Sequence, residues 1–117
     1  MIRLAVFESD LLFSSKVESV CAKLGVGTRT LTTFQDLRAS LSVEPPNVLV
    51  INLDSLDDEL GSLKDLIQKK PLKTVGYYSH VNAKLAEEAR RIGVDLVIPR
   101  GAFANKIQDT LSELMRG

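Results

Sequence analysis

Four aliphatic residues in succession, Val48-Leu49-Val50-Ile51, follow Pro45-Pro46-Asn47, and the chain then turns polar at Asn52 and Asp54. A run so short, β-branched and without alternation reads as a strand buried on both faces, as at the centre of a parallel sheet. In an open α/β sheet, ligands and chemistry collect outside the carboxyl ends of such strands. The first polar side chain past the run therefore carries particular weight, and it is a neutral amide, Asn52.

The segments on either side repeat one pattern. Arg3 to Phe7 is a compact apolar strand, after which Ser9 or Asp10 caps a helix whose Phe13, Val17, Val20 and Leu24 recur at helical spacing. Cys21 falls on the same stripe as a small hydrophobe. Gly25 stops this helix, and the Thr-rich stretch Val26 to Leu31, with Gly27 inside it, suits an edge strand. Thr33 and Asp36 open a second helix with Phe34, Leu37 and Leu41 inward. After the central strand, Ser55 to Glu59 reads as the acidic first turn of a third helix, carrying Leu60, Leu63 and Ile67 and closed by Lys69-Lys70-Pro71. Thr74 to Tyr78 is a fourth strand, in which Gly76 implies a small bulge or close packing against a helix. Asn82 is the expected cap of a fourth helix with Leu85, Ala89 and Ile92 inward. Leu96 to Ile98 is a fifth strand, followed by one last helix bearing Phe103, Ile107, Leu111 and Leu114. Five strands alternating with five helices imply a doubly wound α/β fold: a five-stranded parallel sheet in the order 2-1-3-4-5 between two helical layers.

Composition narrows the function. At 117 residues the chain suits a single domain, 1–117, and fifteen basic residues balance fifteen acidic ones, which argues against direct nucleic-acid binding. Cys21 and His80 each stand alone of their kind, so disulfides, zinc sites and histidine triads lack partners. His80 itself reads as a solvated loop residue. No apolar run reaches the length of a membrane span, and a cytoplasmic setting is expected.

The topology brings Phe7-Glu8, Asn52, Ser79 and Arg100 to one crevice, and here the stretches Val6 to Leu12, Pro46 to Leu53, Tyr78-Ser79 and Gly93 to Arg100 resemble a receiver domain of two-component response regulators. The resemblance implies a fold of the flavodoxin-like class and a role in signal transduction. In a working receiver, a pair of acids after the first strand holds Mg²⁺, and an Asp after the third takes a phosphoryl group from a histidine kinase. A Ser or Thr and a Lys then read the phosphoryl oxygens. This chain has Phe7 and Glu8 at the acid positions, Asn52 at the acceptor, Ser79 at the hydroxyl and Arg100 at the lysine. Gly101 stands where proline is usual, and Val97 where the family often has an aromatic residue.

A carboxamide is not the ionised nucleophile that an aspartyl phosphate requires. With only Glu8 left as a charged ligand, Mg²⁺ binding should be weak or absent. Glu8 and Arg100 are expected to pair across the vacated pocket, directly or through Asn52. The leading expectation is thus a degenerate, phosphorylation-independent receiver that binds a protein partner and has no enzymatic activity. Its partner or homodimer face would lie on the fourth helix, fifth strand and fifth helix, around Lys84, Glu88, Arg91, Val97 and Lys106. Two alternatives stand beside it. Asp54, about 6–7 Å further along an extended chain, could be the acceptor of a working receiver, or the crevice could bind a small ligand.

Overall fold

The computed structural model describes residues 2–68, 70–79 and 81–116, so Lys69 at the close of the third helix and the loop residue His80 lie outside the described residues. The strands are β1 (Arg3–Phe7), β2 (Gly27–Leu31), β3 (Val48–Asn52), β4 (Lys73–Tyr78) and β5 (Leu96–Pro99). They form one parallel sheet in the order β2-β1-β3-β4-β5. This is the doubly wound topology that the alternating pattern implies. The helices are α1 (Leu11–Lys23), α2 (Phe34–Val43), α3 (Leu60–Ile67), α4 (Ala83–Arg91), α5 (Arg100–Asn105) and α6 (Ile107–Arg116). None of the described helices is long and apolar enough to cross a membrane.

Strand alternation divides the core in two. Ala5, Phe7, Leu49 and Ile51 face one way and meet Leu37 and Leu41 of α2, Leu63 of α3 and Ala89 of α4. Leu4, Val6, Val50, Val75 and Tyr77 face the other way and meet Phe13, Val17 and Cys21 of α1, Phe103 of α5 and Leu111 of α6. Every residue of β3 is buried, as befits the middle strand, whereas β2 is largely exposed at its edge. Gly25 and Gly93 follow α1 and α4 with φ of 73° and 105°, the left-handed geometry in which glycine carries no Cβ penalty.

Several local expectations change. The acidic stretch after β3 does not start a helix; it forms two 3₁₀ turns, Leu53–Ser55 and Asp57–Glu59, before α3 opens at Leu60. Leu53 and Leu56 are both wholly buried. Their three-residue separation matches the 3₁₀ repeat, which sets both on the same side of the turn. Gly76 packs against Leu53 of that turn rather than against a helix. The last helix is broken at Lys106, whose φ of −136° leaves the helical region, so Phe103 and Leu111 reach the core from two separate helices. In α4 the fully buried residues are Ala86 and Ala89, with Leu85 and Ile92 packed at the margin.

Candidate functional site

Glu8 follows β1 on the face that Leu4 and Val6 share, and it is 1% exposed. A carboxylate so buried needs donors on all sides. Two come from neighbouring strands in register: Asn52 ends β3 opposite Tyr77 of β4, and both point to the face on which Glu8 lies. Tyr77 Oη donates to Glu8 Oε1 at 2.5 Å, and Asn52 Nδ2 donates to Oε2 at 3.0 Å. The Asp10 backbone N–H adds a third bond, to Oε2 at 3.1 Å. Arg100 supplies the fourth: its Nη1 lies 3.3 Å from Glu8 Oε1 and its Nη2 3.3 Å from Asp10 Oδ2.

Arg100 is held by more than charge. Its guanidinium lies 4.3 Å from the centroid of the Phe13 ring and 5.7 Å from that of Tyr77. The Tyr77 ring stacks with Phe13 at 4.8 Å and with Phe103 at 5.3 Å. The planar cation thus closes the outer end of an aromatic stack whose inner members are core residues. Burial, reinforced by the hydrogen bond to Glu8, pushes the Tyr77 phenol far above its ordinary pKa, so it serves as a permanent donor.

Past β3 a second set of bonds turns toward β4. Asn52 Oδ1 accepts the Asp54 N–H at 3.1 Å. The Asp54 carboxylate accepts the Ser79 backbone N–H on Oδ2 at 2.9 Å and the Asn82 side-chain amide on Oδ1 at 2.8 Å. Asn52 therefore joins two acids, donating to Glu8 and accepting from the backbone of Asp54.

Of the five residues expected in the crevice, Glu8, Asn52 and Arg100 are in direct contact. Ser79 reaches them through its backbone and Asp54. Phe7 does not line the crevice at all: it is buried in the opposite core with Leu31 and Ile51, its neighbours in register. Adjacent residues at a strand end face opposite ways, so Glu8 inside the crevice requires Phe7 outside it. Asp10 does cap α1, receiving the Leu12 N–H, and it also pairs with Arg100. Tyr77, Phe13 and the second role of Asp10 escaped the sequence reading. The available signal was chemical: a buried tyrosine needs a partner for its hydroxyl. On the remaining face, Lys84, Arg91 and Lys106 are exposed while Glu88 and Val97 are half-buried. Val97 packs on the α4 side of the sheet, and Lys106 joins the helices of the other layer.

These residues fit Mg²⁺ poorly. Each Glu8 oxygen already accepts two bonds, Asp10 is engaged by Arg100, and Arg100 brings a fixed positive charge to the place where a cation would sit. Among the described residues, no three His, Cys, Asp or Glu side chains are grouped to hold a metal ion.

No protein-family model matches the sequence, and no curated protein sequence matches it. Solved structures do. A response regulator from Thermotoga maritima superposes with a TM-score of 0.86 at 11% identity, covering 100% of this chain and 99% of its own. A two-component response regulator from Clostridium difficile gives 0.86 at 9% identity, with 99% and 97% covered. A signal receiver domain from Bermanella marisrubri gives 0.81 at 19%, with 97% of each chain covered. The fold is that of a response-regulator receiver domain. Within the receiver fold, the crevice just described lies where β1, β3 and β4 end side by side, and its one buried acid is neutralised from within.

Proposed function

We propose that this chain is a phosphorylation-independent receiver module that acts in signal transduction by binding a protein partner, without catalysing a reaction. One observation carries the reading: the buried carboxylate of Glu8 is saturated by Tyr77, Asn52, Arg100 and the Asp10 N–H. A phosphoryl group arriving at Asn52 would meet an amide nitrogen already donating to Glu8 and an oxygen already accepting from Asp54. Neither atom is a nucleophile of the kind an acyl phosphate needs. Asp54, the other acid near the strand end, has both oxygens engaged by Ser79 and Asn82.

The partner face of this reading is α4 with β5 and the start of α5 and α6, around Lys84, Glu88, Arg91, Val97 and Lys106. The same face would pair two copies in a homodimer, which size-exclusion chromatography of wild type against a Lys84→Glu/Arg91→Glu variant tests. A cytoplasmic location suits the unpaired thiol of Cys21.

The decisive experiment is incubation with acetyl phosphate and Mg²⁺, read by intact mass, beside beryllofluoride titration read by amide shifts. Unchanged mass and unshifted Asn52, Asp54 and Ser79 amides are expected. A phosphoryl adduct on Asp54 would establish a working receiver with a displaced acceptor and overturn the proposal.

A further inference from the structure

Helix α4 departs from an ordinary local rule. Asn82 occupies its N-cap position, where an asparagine side chain normally accepts a backbone N–H of the first turn, yet Asn82 makes no capping bond. Its amide donates to Asp54 Oδ1 at 2.8 Å instead. The neighbouring Ser79 N–H donates to the other oxygen, Oδ2, at 2.9 Å. The Asn82 N–H also donates to Ser79 O at 2.8 Å. One carboxylate from the turn after β3 thus holds both ends of the β4–α4 connection.

Besides this tether, the first turn of the helix is anchored by Leu85 at the margin of the core. Its buried side chains are Ala86 and Ala89, both small, and its outer face is charged. Val81, at the apex of the connection, is 75% exposed. The attachment of Asp54 is itself fixed, since its backbone N–H is bound by Asn52, which in turn is bound to buried Glu8. A continuous chain of hydrogen bonds therefore runs from the interior of the crevice to the first turn of α4.

We propose that Asp54 is a built-in anion that holds Ser79 and Asn82, the two described ends of the β4–α4 connection, in place. The inference rests on the reading that no phosphoryl group arrives. It assigns Asp54 a positioning role: α4 and Val81 are presented to a partner permanently rather than on a signal. A local rule broken with a specific compensating contact is the pattern expected of such a site.

The test is amide exchange by NMR on the full chain, comparing wild type with Asp54→Ala, Asp54→Asn and Asn82→Ala. In Asp54→Ala, exchange at Ser79 should accelerate about tenfold or more, the scale of one charge-assisted hydrogen bond. Val75 and Ile51, in the core strands, should not change, which separates release of the loop from general destabilisation. Asp54→Asn keeps an acceptor oxygen and should fall between. Asn82→Ala leaves the turn after β3 intact and should accelerate exchange at Ala86, the first N–H bonded within α4. Ser79 exchange within twofold of wild type in Asp54→Ala, or an unmoved Ala86 in Asn82→Ala, would overturn the inference. The same wild-type sample treated with acetyl phosphate and Mg²⁺ distinguishes the two levels. A phosphoryl adduct at Asp54 defeats the underlying reading, whereas unchanged mass in the wild type, with Ser79 exchange that Asp54→Ala leaves unchanged, defeats the positioning role alone.

Discussion

The Tyr77 hydroxyl meets the Glu8 carboxylate at 2.5 Å, and neither residue exposes more than 1% of its surface. A buried carboxylate is costly unless it is fully hydrogen-bonded, and removing a single donor exposes that cost. Glu8 draws on two neutral side chains, one backbone N–H and one cation, so the crevice is an anion site filled by the protein's own acid.

Tyr77→Phe tests that balance. The ring stack with Phe13 and Phe103 persists, and only the hydroxyl is lost, leaving Glu8 Oε1 with Arg100 alone. Urea denaturation at pH 7 should show a loss of about 1–3 kcal/mol. The pH dependence has a definite sign. Folding raises the phenol pKa above its ordinary 10.0. The unfolded chain releases this proton above about pH 10 while the folded chain keeps it, so the Tyr77 contribution is whole below that pH and erodes above it. The stability gap between wild type and variant should therefore narrow from about pH 9.5 upward. A gap that widens with pH would contradict a protonated, donating phenol.

The legible and illegible parts of the chain divide along a physical line. Periodicity within a segment reveals strands, buried stripes and the Thr33 cap, which does bind the Asp36 N–H. The spacing that puts Asn52, Glu8 and Arg100 at one strand-end crevice follows from topology, and the contact between them from charge. Tyr77 belongs to the site only because β3 and β4 align Asn52 with it, and register between strands leaves no trace in either strand alone. Phe7 was legible in principle, since strand alternation forbids it and Glu8 from sharing a face. Asn82 was not: a cap and a tether for Asp54 demand the same residue type.

Gly76→Ala probes the packing of the turn after β3. A Cβ at Gly76 would lie 2.9 Å from both Cγ and Cδ1 of Leu53, which is wholly buried. Overpacking of this kind costs about 1–3 kcal/mol, visible as a lower melting temperature. Leu53→Ala in the Gly76→Ala background should cost less than the two single changes summed, because the second removes the atoms that the first strikes. Strict additivity would show that the backbone absorbs the methyl group elsewhere.

Cys21 reports on global opening. It is wholly buried on the inner face of α1, and burial, with a smaller contribution from Glu18, pushes its thiol up to about 11. The thiolate is the reactive species, so native protein at pH 8 should resist alkylation. Labelling should proceed at a rate that rises with urea in parallel with unfolding. Complete modification within minutes in the absence of denaturant would show that α1 opens locally.

Asn52→Asp is the substitution that would seem to rebuild a phosphoacceptor, and the geometry argues against that result. The Nδ2 donor 3.0 Å from Glu8 Oε2 becomes a second carboxylate oxygen, so a buried hydrogen bond is replaced by two facing acids. The loss should be about 3–5 kcal/mol at pH 7, the scale of an uncompensated buried charge. Phosphorylation should still fail, because Phe7 supplies no acid from the opposite core and Arg100 remains on Glu8, holding a positive charge where Mg²⁺ would sit. Intact mass after acetyl phosphate and Mg²⁺ should match the untreated variant; a stable adduct at position 52 would mean that Arg100 yields its place to the metal.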